Sequence, residues 1–277
     1  MGSLLMTRSC FCLFVFLLFL VETLCISCVK QIEKPIYTSS KNSEASSLKS
    51  VDNFLNEAFL SYQQGQLTEA IQKLETALVI AKEGPKWTTA SLLLLLRFFQ
   101  EKTGEKDKAL VTTELAKELF QELKSMPTES KMLIEKIIMF SRQVKEQDQP
   151  LFWQTLFPLL STLARSLGED RLLAGLQIGL GLTYLSIQNK QAGEREFLEA
   201  ISLFEKLNDT LSLANFEGII AQAYYGINGF EGAKQHASHA AELYHQLGNR
   251  IEEAKNLRLV GQSLSALDRI EGFLSRL

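Results

Sequence analysis

Along the second half of the chain, small and aromatic residues return at a fixed interval, separated by short polar turns. Leu167-Gly-Glu-Asp170 recurs as Leu207-Asn-Asp-Thr210 and again as Leu247-Gly-Asn-Arg250, 40 residues apart each time. The register also holds inside the units. Ala174, Ala214 and Ala254 correspond, as do Gly181, Ala221 and Gly261, Tyr184 and Tyr224, Ala200 and Ala240, and Phe204 and Tyr244. Small residues let two helices approach closely, and aromatic rings fill the space left between them. The first half is more diverged but follows the same grammar. Gly65-Gln-Leu-Thr-Glu-Ala70-Ile71 and Gly104-Glu-Lys-Asp-Lys-Ala109-Leu110 each set a helix-ending glycine before a helix start.

This pattern predicts helix pairs at about 51–64 and 67–83, 87–103 and 106–124, 128–147 and 150–166, 170–188 and 191–206, and 210–227 and 230–246. Arg250 to Leu267 should form one more helix, with Asp268 to Leu277 as a short cap over the apolar side of the last unit. Pro127 and Pro150 fit helix starts, whereas Pro158 falls inside an expected helix and should kink or break it. Only 5 prolines occur, and Leu, Ala, Glu, Lys and Gln are abundant, so the expected fold is all-α.

The best-formed unit is residues 58–78, Ala-Phe-Leu-Ser-Tyr-Gln-Gln-Gly-Gln-Leu-Thr-Glu-Ala-Ile-Gln-Lys-Leu-Glu-Thr-Ala-Leu. It resembles the tetratricopeptide repeat, with Ala58, Tyr62, Gly65, Ala70, Leu74 and Ala77 at or next to the signature positions. The spacing here is longer than that family's unit of about 34 residues. Arg97 also departs from it, placing a bulky charge where the second unit would carry a small residue. The resemblance implies a helix-turn-helix solenoid, a right-handed superhelix of about five repeats plus a C-terminal capping helix. It also implies a protein or peptide ligand on a concave face lined by the first helix of each pair. Carried over residue by residue, that groove comprises Phe59, Tyr62, Phe98, Arg142, Lys145, Ile178, Leu182, Gln222, Tyr225 and Arg258. An apolar surface with a few polar anchors suits an extended or helical peptide. The alternative is that its apolar members simply pack between neighbouring units. The Lys/Asn/Arg clamp by which some family members grip a terminal carboxylate is not reproduced.

Charge narrows the partners. A net charge of -3 without any block of like charge argues against nucleic acid, which needs clustered Lys and Arg. The four cysteines, Cys10, Cys12, Cys25 and Cys28, all precede the repeats, so no disulfide can staple the folded part. Cys25-Ile-Ser-Cys28 ends an apolar run rather than opening a helix, which disfavours redox chemistry.

Residues 1–28 have the proportions of an export signal, with Arg8 followed by the apolar run 9–21; Glu22 disfavours a membrane-spanning helix there. Leu24-Cys25-Ile26-Ser27-Cys28 resembles a bacterial lipobox with Cys28 as the lipidated residue, although Cys25 stands where that pattern has Leu. Simple cleavage near Ser27, or a retained anchor, are the alternatives. Residues 29–47 are expected to be a Ser-rich flexible linker, and 48–277 the repeat domain.

Catalysis lacks a candidate: there is no Walker loop, G-x-G-x-x-G, H-E-x-x-H or G-x-S-x-G. His236 and His239 are spaced to share a metal, but no third ligand is evident at matching spacing, and no metal or cofactor is expected. Asn208-Asp-Thr210 is a formal glycosylation sequon, read here as an ordinary turn. The expectation is a non-enzymatic scaffold of the cell envelope, exported and membrane-anchored, that binds a partner protein or peptide in envelope assembly or secretion. The alternative is a soluble regulatory or ligand-sensing repeat domain.

Overall fold

The computed structural model describes residues 41–275. The expected export signal, Cys28 and the start of the expected linker lie outside them. The described residues contain α-helices and no strand: α1 (Lys41–Gln63), α2 (Leu67–Ala81), α3 (Lys86–Thr103), α4 (Lys106–Leu123), α5 (Pro127–Ser141), α6 (Gln149–Leu167), α7 (Asp170–Ser186), α8 (Lys190–Lys206), α9 (Thr210–Gly226), α10 (Phe230–Gln246) and α11 (Arg250–Leu274). A short 3-10 turn, Glu146–Asp148, precedes α6. Successive helices pack as neighbouring pairs, giving the all-α helical-repeat fold that the periodicity implies.

The turns form where local sequence favours them. Gly65, Gly104, Gly168 and Gly248 adopt positive φ, and Asn208 holds the equivalent place in its own unit at φ 52°. Asn189, Asp209 and Asn249 cap α8, α9 and α11 by accepting a backbone N–H from three residues on.

The chain forms two compact units, one through Glu169 and one from Asp170. In the first, α3 is central and touches α2, α4, α5 and α6. Its run Leu92 to Leu96, with Phe98 and Phe99, is buried, as an all-round apolar helix must be. In the second, α7 and α8 approach so closely at Gly181 that a Cβ there would strike the Phe197 ring and lie 3.0 Å from the Gly193 carbonyl.

Three expectations are corrected. Helix α1 begins at Lys41, inside the stretch expected to be linker. No Gly or Pro intervenes between Lys41 and Gln63, so extending an already nucleated helix backwards is cheap. Helix α6 runs unbroken through Pro158, whose ring faces solvent. Helix α11 is one helix of 25 residues rather than a helix and a separate cap. Ala266-Leu-Asp-Arg269 contains none of the glycine or asparagine that turns the chain at the equivalent place after α9, so helical geometry continues.

Candidate functional site

The structure divides the expected groove residues. Phe59, Tyr62 and Phe98 come together, but in the core of the first unit. Phe59 lies 5.7 Å from Phe140, Tyr62 lies 5.2 Å from Phe99, and Phe98 lies 5.2 Å from Phe152, ring centre to ring centre. Ile178 and Leu182 are likewise buried in the second unit. These five pack between helices and present no free face, so the packing alternative holds for them. Gln222, Arg258 and Arg142 are exposed, and Tyr225 is half-buried with its ring edge against Phe230.

Lys145 and Tyr62 belong to a buried polar knot. The Tyr62 hydroxyl donates to Asp148 Oδ2 at 2.6 Å and accepts the Lys145 backbone N–H at 2.9 Å. Lys102 Nζ sits 2.5 Å from Asp148 Oδ1, and the Lys145 ammonium stands over the Tyr62 ring, 5.3 Å from its centre. Burial first, and then the bond to Asp148, push the Tyr62 phenol well above its ordinary range. The knot ties the turn between α5 and α6 to α1, and its donors and acceptors satisfy one another. It is a clasp rather than a binding site.

An open cleft lies elsewhere in the first unit, formed by the first helices of three successive pairs. Val51 and Leu55 of α1 and Leu92 of α3 form its apolar wall, with Trp87 at the start of α3. Lys136 of α5 and Asp52 of α1 pair across it at 3.1 Å. Its volume is about 100 Å³, well below the 300–1,000 Å³ typical of sites that enclose a small-molecule ligand. That is room for one side chain of a partner. Thr88, 4% exposed, lines the same cleft, and its hydroxyl has no hydrogen-bond partner. An unpaired buried hydroxyl costs roughly 1–3 kcal/mol. Sequence reasoning missed this cleft because it depends on which residues of α1, α3 and α5 face one another across gaps in sequence.

The histidine pair also found a partner that its spacing did not show. Glu217, buried on α9, accepts from His236 Nδ1 at 2.6 Å and from His239 Nδ1 at 2.8 Å. The Tyr224 ring stacks on His236 at 5.5 Å, and burial raises its phenol to about 12. In the 40-residue register Glu217 falls opposite Gln177 and Leu257, so no periodic signal marks it. Among the described residues, no three acidic, histidine or cysteine side chains are grouped to hold a metal ion, and no helix is long and apolar enough to cross a membrane.

Fold and cleft together define, over the described residues, an all-α helical-repeat protein with a side-chain-sized slot. No protein-family model matches the chain, and no curated protein matches it. Among solved structures it is similar to a signal transduction ATPase with numerous domains, bearing a tetratricopeptide repeat sensor, from Pyrococcus horikoshii. The identity is 15%, over 80% of this chain and 34% of that one, with a TM-score of 0.42. The chain thus spans about a third of that protein's length. It is also similar to BtubC from P. vanneervenii, at 13% identity over 84% of this chain and 93% of the other, with a TM-score of 0.35.

Proposed function

We propose that the protein is a non-enzymatic scaffold of the tetratricopeptide kind that holds a partner protein or peptide on the first-helix side of its repeats. The observation that carries this reading is the cleft between α1, α3 and α5, with the apolar wall of Val51, Leu55 and Leu92 and the Lys136–Asp52 pair across it. A slot of this size takes a single anchoring side chain, which favours a peptide segment over a small regulatory ligand. The half-buried Trp87 ring is the contact that a partner would meet first.

The N-terminal sequence supports a cell-envelope location, with export through residues 1–28, a lipid on Cys28, and a role in envelope assembly or secretion. Labelling with radioactive palmitate tests the anchor: the wild type should take up label and Cys28→Ser should not, and equal labelling would remove lipidation there. The binding site is tested with a photo-crosslinking amino acid placed at Trp87, and, as a control, at the exposed Leu115 of α4. A discrete crosslinked partner at Trp87 that is absent at Leu115 is expected. The same products at both positions, or none at Trp87, would remove the cleft as the binding site.

A further inference from the structure

Helix α11 carries an outward stripe at positions Arg250, Ala254, Leu257, Gly261, Leu264 and Asp268, all of them exposed. Their spacing of four and three residues sets them along one line of the helix. Leu257 and Leu264 are 53% and 44% exposed, and a Cβ added at Gly261 would meet nothing within 4 Å. In preceding units the same register positions are covered. Ala214 and Ala221 are fully buried, and Tyr224 stacks on His236 of α10; Ala174 is fully buried, and Gly181 abuts Phe197 of α8. The α11 stripe is therefore the face that a hairpin's second helix covers elsewhere, and among the described residues no helix covers it here.

We propose that this face docks the same face of a second copy, with the two α11 helices antiparallel. The stripe is complementary to its own reverse. A two-fold axis near residue 259 sets Leu257 against Gly261, Leu264 against Ala254, and Arg250 against Asp268, each pairing occurring twice. Large residues meet small ones at every level, and opposite charges close both ends. A parallel pair would instead stack Arg250 on Arg250, Asp268 on Asp268 and glycine on glycine. Antiparallel docking also reproduces the relation that a second helix bears to the first within each hairpin. Arg250, itself exposed, now lies 3.0 Å from both Glu253 of its own helix and His245 Nδ1, surface contacts of the kind that contribute little. The proposal does not depend on the cleft or on membrane anchoring.

The test is sedimentation equilibrium of the full chain in mild detergent, using two charge-reversed variants. Arg250→Glu places acid against acid at both ends of the pair, and Asp268→Arg places base against base. Each variant alone should dissociate about tenfold more readily than the wild type, while an equimolar mixture of the two should recover association, since every end contact is again opposite in sign. Arg250→Glu also gives up the contacts of Arg250 with Glu253 and His245, so the melting curve of each variant is recorded beside its association and separates loss of pairing from loss of fold. A wild type that stays monomeric, as it would if another protein's helix takes this face, overturns the proposal. So does association that the single variants leave unchanged, or a mixture that fails to recover it.

Discussion

At the scale of single residues, the same repeat position carries opposite demands in different units. Gly181 stands where any side chain would meet Phe197 and the Gly193 carbonyl, whereas its counterpart Gly261 faces open space. Gly181→Ala should therefore destabilise the protein by roughly 1–3 kcal/mol through overpacking. Gly261→Ala, open within the single chain, should stabilise the monomer by up to about 1 kcal/mol when unfolding is followed at a dilution where copies do not associate. Urea unfolding of the two variants decides, and equal effects would mean that the close approach of α7 and α8 is not what selects glycine. Two buried phenols give a second expectation. Burial raises Tyr224 and Tyr244 to about 12, against an ordinary value near 10. Below pH 10 both are protonated whether folded or not. Above it the unfolded phenols ionise first, so stability should fall as pH rises through 10 to 12. Tyr224→Phe removes a hydroxyl that has no partner and should be neutral or stabilising at pH 8. Tyr244→Phe forfeits a 2.5 Å bond to Asn215 and should cost about 1 kcal/mol there. Both changes should flatten the alkaline decline in unfolding titrations, and a decline of unchanged slope would assign it to other groups.

At the scale of elements, the helix pairs were legible because their signals are local: a turn glycine or asparagine, a cap, and a small-residue register that repeats. The groove was not legible, because burial of Phe59 and Tyr62 is decided by Phe140 and Asp148, some eighty residues away. Pro158 and Arg97, each an oddity when read alone, become intelligible together. Proline at 158 leaves the Gln154 carbonyl of α6 without its usual donor. From α3, the Arg97 guanidinium donates to the adjoining Thr155 carbonyl, with Glu101 3.5 Å from it. The charge at a small-residue position is thus a strut between α3 and α6 beside the proline. Burial lowers the Arg97 pKa, and Glu101 opposes that shift. Arg97→Met keeps the length and loses the donors, so it should destabilise by about 1–3 kcal/mol. An unfolding midpoint equal to that of the wild type would show that the strut contributes nothing.

At the scale of the whole molecule, a repeat array is stabilised neighbour by neighbour, so a stretch that contains enough complete interfaces should stand without the remainder. The unit from Asp170 onward meets that condition. Helices α7 to α11 supply four successive packed neighbours, and Phe197, Phe204, Phe216, Ile220 and Tyr244 give them a core of their own. The unit contains no cysteine, so its stability cannot rest on disulfides. Two of its polar ties also close internally, Glu217 to both histidines and Tyr244 to Asn215. Residues 170–277 expressed alone should therefore be helical by far-UV circular dichroism and should unfold in urea in one cooperative step. A fragment that is helical but melts without a cooperative transition would mean that the packing seen here is not specific enough to fold by itself. An unfolded fragment would mean that the division at Asp170 separates regions of contact but not of folding.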